Sequence, residues 1–142
     1  MDRVFLDANI LFSVAFVPDS RLRELWSLRE VELLTSEFAL DEAQRNLLAY
    51  APQAVAVLDE LTRGLTIVSE APSLLLPTAI DLPDKDRPIL VAAIAAGCTH
   101  LLTGDTRHFG PLYGRTIQGV VVLTPAQYRR RGRGRVRRGR PR

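Results

Sequence analysis

Short apolar runs alternate along this chain with segments whose apolar residues recur at helical spacing. Val4-Phe5-Leu6 is apolar throughout and bounded by charge, as a strand buried on both faces would be. Asn9 to Phe16 can form a helix, which Pro18 interrupts. Asp19 or Ser20 can cap the next helix, where Leu22, Leu25, Trp26 and Leu28 fall at helical spacing. Val31 to Thr35 predicts a second strand. Ser36 then offers a cap to a helix with an apolar stripe of Phe38, Leu40, Ala43, Leu47 and Leu48. Pro52 suits the first turn of a further helix, with Val55, Leu58 and Leu61 facing inward and Gly64 as its stop. Leu65 to Val68 predicts a third strand, and residues 72–83 a Pro-rich connector. Asp84 or Asp86 can cap a helix that tolerates Pro88 in its first turn and stops at Gly97. Leu101-Leu102-Thr103 and Val120 to Leu123 predict two more strands, and Thr124-Pro125 opens a final short helix.

Strands alternating with helices indicate an α/β fold with a mainly parallel sheet. In such sheets ligands bind beyond the carboxyl ends of the strands. Asp7 and Asp105 each follow a predicted strand directly, so both belong to that edge. With 142 residues and no internal repeat, one domain is expected over residues 1–128.

Charge divides the chain in two. Residues 129–142 hold nine arginines and no acid, whereas residues 1–128 carry 10 Lys+Arg against 16 Asp+Glu, a net of −6. The sequence pI of 9.6 therefore belongs to the Arg/Gly-rich segment, a basic tail for which disorder is expected. Its Arg129, Arg130, Arg131, Arg133 and Arg135 are candidate contacts to nucleic-acid phosphates. Cys98 is the only cysteine, which rules out an internal disulfide and fits a reducing compartment. No leader peptide or membrane span is legible, so a cytoplasmic location away from membranes is expected.

The candidate chemistry lies in the acids. Asp7, Glu42, the pair Asp84 and Asp86, and Asp105 stand at or near element ends, which suggests carboxylates converging on one site. Several carboxylates in one cleft repel each other unless a cation compensates them. Mg²⁺ takes hard oxygen ligands and usually keeps waters and substrate phosphates in its shell. Such an ion activates water for phosphodiester cleavage. There is no His/Cys group of zinc type, no phosphate-binding glycine loop and no G-x-S-x-G turn.

The residues now carry a resemblance. Phe5-Leu6-Asp7-Ala8-Asn9-Ile10-Leu11 resembles the opening motif of PIN-domain proteins. Asp84-x-Asp86-x-x-Ile89-Leu90-x-Ala92-Ala93 resembles that family's third acidic motif, and Leu102-Thr103-Gly104-Asp105-x-x-His108-Phe109 its fourth. The resemblance covers about residues 2 to 125 and is nearest to the VapC-like toxin ribonucleases of bacterial toxin–antitoxin pairs. It implies a three-layer α/β/α fold with a five-stranded parallel sheet, and Mg²⁺- or Mn²⁺-dependent cleavage of RNA. It also implies an antitoxin partner and a homodimer. Carried over, Asp7, Glu42, Asp86 and Asp105 become the catalytic and metal-binding acids, with Asn9, Thr103 and Asp84 in support. Glu42 is preferred to Asp41, because neighbours on a helix point about 100° apart and Leu40 and Ala43 look inward.

Two rival readings stay open. One is a non-catalytic RNA- or partner-binding protein on the same fold. The other is a phosphoacceptor receiver-type domain, which wants a lysine after a late strand, whereas the sole lysine, Lys85, precedes a helix. For His100 and His108 structural roles are expected, although His108 can also touch phosphate. Cys98 and Trp26 are expected to pack, Trp26 in the core or at a partner interface.

Overall fold

The computed structural model describes residues 1–69, 76–77 and 79–131. Its elements run β1 (Asp2–Leu6), α1 (Ala8–Phe16), a 3₁₀ segment (Arg21–Ser27), β2 (Val31–Ser36), α2 (Glu37–Tyr50), a 3₁₀ turn (Pro52–Ala54), α3 (Val55–Thr62) and β3 (Thr66–Val68). They continue with α4 (Arg87–Ala95), β4 (His100–Leu102), α5 (Thr106–Phe109), a 3₁₀ turn (Gly110–Leu112), β5 (Thr116–Ile117) and β6 (Val120–Leu123). Residues 125–131 are helical, so Arg129 to Arg131 continue the last helix. Most of the predicted Pro-rich connector lies outside the described residues, as does the segment expected to be disordered from residue 132 onward.

The strands form one sheet in the order β3-β2-β1-β4-β6-β5. β1 lies between two parallel partners, with Val4 opposite Leu33 of β2 and opposite His100 of β4. Burial on both faces explains why Val4, Phe5, Leu6, Leu101 and Leu102 are all fully inaccessible to solvent. The chain first builds outward from β1 to β3 and then returns to β4 on the other side of β1. Helices α1, α2 and α3, which connect the outward steps, pack on one another. The return step runs the opposite way, so a right-handed crossover places α4 on the other face. The α/β/α layering follows.

The sheet has six strands rather than the expected five. The additional one, β5, runs antiparallel to β6 and is joined to it by Gln118-Gly119. Both loop residues have positive φ, 47° and 90°, as a type I′ hairpin turn requires. Two strand residues and a Gln-Gly turn give no readable alternation in the sequence.

Two other expectations are corrected. The segment capped by Ser20 is a 3₁₀ helix, not an α-helix. Tertiary contact fixes it: Trp26 Nε1 donates to Leu61 O at 2.9 Å, and a Cβ on Gly64 would lie 3.0 Å from Trp26 Cδ1. Gly64 therefore makes room for the indole. In α2 the buried positions are Ala39, Ala43 and Leu47, at steps of four; Phe38 and Leu40 are half-buried, and Leu48 is 60% exposed. Leu48 lies about 100° around the helix from Leu47, which takes it off the stripe.

Gly97 ends α4 as expected. Its φ of 70° supports a Schellman cap in which Cys98 N donates to Ala93 O and Gly97 N to Ile94 O, both at 3.0 Å. Thr124 and Gln127 cap the last helix reciprocally: Gln127 N donates to Thr124 Oγ1 at 3.1 Å and Thr124 N to Gln127 Oε1 at 2.9 Å. No helix among the described residues is long and apolar enough to cross a membrane.

Candidate active site

The order of connections reverses between β1 and β4, and at such a switch point the carboxyl ends of two strands open a crevice. Asp7 leaves β1 there and Thr103-Gly104-Asp105 leaves β4. Asp7 N donates to Leu102 O at 3.1 Å, which ties the two exits together.

Asp7 is 5% exposed and serves as N-cap of α1, its Oδ1 accepting from Ala8 N at 2.7 Å. Its Oδ2 accepts from Thr103 Oγ1 at 2.8 Å and from Asn9 Nδ2 at 3.1 Å. The Thr103 hydroxyl, having given its one proton to Asp7, accepts from Asp105 N at 3.1 Å and Asn9 Nδ2 at 3.2 Å. Asn9 Oδ1 accepts from Gly104 N at 2.8 Å. A Cβ on Gly104 would stand 3.3 Å from that oxygen, so a larger residue would crowd this contact. Asn9 and Thr103 thus hold Asp7 and the β4 exit in one hydrogen-bonded frame.

Asp105 caps α5, its Oδ1 accepting from His108 N at 3.0 Å. Its Oδ2 is 2.9 Å from His108 Nδ1, which also stands 3.0 Å from Asp86 Oδ2. Asp86 occupies the N-cap position of α4 in helical backbone conformation and makes no cap hydrogen bond. His108 Nδ1 thus stands between the two carboxylates, and Asp86 Oδ2 is buried without a hydrogen-bond partner among the described residues. Asp86, Asp105 and His108 bring one ligand atom each within 4.8 Å of one another.

Electrostatics link this group to Asp7. Burial above all raises the Asp7 carboxyl to about 6; the Thr103 and Ala8 hydrogen bonds oppose the rise, and the charges of Glu42 and Asp86 add to it. Burial likewise raises Asp86, against the attraction of His108 and with repulsion from Asp105. Glu42 is half-buried on α2 and near enough to act on Asp7, whereas Asp41 is exposed and pairs with Arg45 at 3.0 Å. Asp84 and Lys85 are exposed in the turn before α4, outside the Asp86–Asp105–His108 group.

Tyr113 escaped the sequence reading, and His108 was expected in a structural role, with phosphate contact as the alternative. His108 sits between two carboxylates; its spacing of three from Asp105 is the only signal, and that spacing also fits an ordinary first turn of a helix. Tyr113 donates from its hydroxyl to Thr103 O at 2.9 Å. Burial first, then Asp105 and Asp7, pushes its phenol up to about 12. No local pattern marks it. His100 is buried, with Nδ1 2.8 Å from Thr99 Oγ1 and its ring edge-on to Tyr128, far from the acids at the other end of β4.

An α/β sheet with carboxylates gathered at its switch point defines a class of acid-lined crevice proteins. Residues 3–107 match the PIN domain, and the chain belongs to that family. Among solved structures it is similar to VapBC2 from Rickettsia felis bound to a DNA fragment from its promoter, with TM-score 0.64 and 16% identity over 86% of this chain and 98% of that one. It is also similar to VapBC-1 from nontypeable Haemophilus influenzae, at TM-score 0.54 and 13% identity over 87% and 98%. A third is Mycobacterium tuberculosis VapC20, a sarcin-ricin loop cleaving toxin, at 0.53 and 13% over 72% and 91%. These likenesses speak for the fold. No curated protein matches the chain.

Proposed function

We propose that this protein is a metal-dependent endoribonuclease, the toxin of a toxin–antitoxin pair. The observation that carries the reading is the buried Asp86 oxygen without a hydrogen-bond partner, facing Asp105 and His108 beside the buried Asp7. Carboxylates gathered at this depth repel each other, and a hard cation relieves that repulsion.

Asp7, Asp86 and Asp105 would hold Mg²⁺, with Glu42 adding negative charge beside Asp7. The His108 nitrogen in the group makes Mn²⁺ a second suitable occupant, since imidazole suits transition metals. When bound, such an ion lowers the pKa of a coordinated water and withdraws charge from a phosphate. The reaction is in-line attack of water on an RNA phosphodiester with release of a ribose oxygen. Asn9 and Thr103 keep Asp7 Oδ2 pointed into the crevice throughout.

The solved relatives named VapBC are two-component assemblies, and the surface here is compatible with a protein partner. Phe16, Val17, Leu48 and Tyr50 stand exposed on or beside α1 and α2, which pack against each other. An antitoxin chain, a second copy of this chain, or both would cover them.

Calorimetric titration of Mg²⁺ into the wild type and Asp7→Asn/Asp105→Asn, with RNA cleavage followed in the same buffers, tests the reading. Binding and cleavage are both expected to vanish in the double variant. Absence of both in the wild type, in Mg²⁺ and in Mn²⁺, would replace it with a non-catalytic RNA- or partner-binding protein.

A further inference from the structure

Asp105 opens α5 and His108 follows three residues later, so the carboxylate and the imidazole share one face of that turn. A carboxylate and a histidine three apart also serve the di-iron and di-manganese sites of helix bundles. The His108 ring is turned the same way here. Its Nδ1 stands 2.9 Å from Asp105 Oδ2 and 3.0 Å from Asp86 Oδ2. The side chains of Asp86, His108 and Asp105 are 15%, 23% and 25% exposed, so the group is shielded yet reachable from solvent.

The two ring nitrogens have different surroundings. Nε2 makes no hydrogen bond among the described residues and is not one of their buried, unpartnered atoms. It can carry the single proton of a neutral imidazole and leave the Nδ1 lone pair to an ion. The donor set is then two carboxylate oxygens and one ring nitrogen, and the Asp86 oxygen is buried without a hydrogen-bond partner among the described residues. Asp7 is placed differently. Its oxygens already accept from Ala8, Thr103 and Asn9, and it stands outside the three residues whose donor atoms meet. The group that converges is therefore a mixed nitrogen–oxygen one. Mg²⁺ takes oxygen ligands and holds on to its waters, whereas at such mixed sites affinity rises along the first transition row from Mn²⁺ to Co²⁺.

We propose that His108 is itself a metal ligand, and that its ring nitrogen makes the crevice prefer a divalent first-row transition ion to Mg²⁺. This rests on the reading of the crevice as a metal site and names the class of ion that the site selects. A His108 that only orients Asp105 leads to a different forecast: its loss weakens every divalent ion alike.

The test uses the full chain without RNA. Mn²⁺ is added below one equivalent, and pulsed electron paramagnetic resonance reads nitrogen hyperfine coupling at the ion. A directly bound imidazole nitrogen is expected in the wild type and none in His108→Asn, whose amide can still donate to Asp105 but offers no ring nitrogen. The chain has only two histidines, and His100 begins β4 at the end away from the acids, so the signal has one source. Calorimetry then compares Co²⁺ with Mg²⁺. Losing even a group that only orients a ligand costs about 10–100-fold in metal affinity, so Co²⁺ binding to His108→Asn is expected to weaken at least that much, and Mg²⁺ binding far less. A wild-type Mn²⁺ site with no bound nitrogen, or an equal loss for both ions, would overturn the proposal and leave the metal reading standing. Absence of divalent-ion binding by the wild type would overturn both.

Discussion

Asp7 carries two roles that conflict at neutral pH. It caps α1, and it is a buried carboxylate facing other acids. Its carboxyl is raised from 3.8 to about 6, so the folded state holds the proton more tightly than the unfolded chain does. Below about pH 4 both states are protonated and the site costs nothing. Stability then falls as pH rises from about 4 to 6, by an amount of the order of 3 kcal/mol. In EDTA, Asp7→Asn is expected to show none of this loss, so the difference in Tm between variant and wild type should move in favour of the variant from pH 4 to pH 7. A constant difference would mean that Asp7 is essentially a cap. At Thr103 the expectation is opposite in sign. Thr103→Val strips the hydroxyl from Asp7 Oδ2 and Asp105 N, and denaturant unfolding should record a loss of about 1–3 kcal/mol. Asn9→Ala should weaken divalent-metal affinity about 10–100-fold by calorimetry, because it frees Asp7 and Gly104 to move. Asp7, Asp86 and Asp105 stand where a strand or loop meets a helix, a placement that local pattern predicts, whereas Glu42 lies within α2 and was chosen from the facing of its neighbours. The place of His108 between two carboxylates and the role of Tyr113 could not be read from the chain, since they depend on which atoms lie opposite after folding.

At the scale of elements, what the sequence revealed followed from strength of local signal. Strands β1, β4 and β6 announce themselves by the apolar runs Val4–Leu6, Leu101–Leu102 and Val120–Leu123, β2 by Val31, Leu33 and Leu34 around Glu32, and Ser36, Gly97 and Thr124 mark helix ends by cap chemistry. β5 is too short to carry a period, and the Arg21–Ser27 segment takes its form from Trp26 docking near Gly64 rather than from its own spacing. Gly97 permits a clean measurement of cap energetics. A Cβ there meets nothing within 4 Å, so Gly97→Ala should cost only the strain of a left-handed residue, about 1–2 kcal/mol by chemical denaturation. A much larger loss would reveal repacking around Cys98.

For the molecule as a whole, metal and stability should be linked. An ion that binds only the folded crevice stabilises by an amount that grows with its concentration, about 2.7 kcal/mol at one hundred times Kd. Wild-type Tm should therefore climb with Mn²⁺ or Mg²⁺, and Asp7→Asn/Asp105→Asn should stay flat. Equal climbs would put the ion elsewhere on the acidic surface.

The position of β1 has a consequence for synthesis. It precedes the other strands of this sheet along the chain and is a central one in the finished sheet, yet the pairing of Val4 with His100 joins residues 96 positions apart. At about 5–20 residues per second, a ribosome needs roughly 5–20 s between the two. During that interval one flank of a strand whose Val4, Phe5 and Leu6 are all apolar has no native neighbour, and a nascent chain in that state is a natural client for a chaperone.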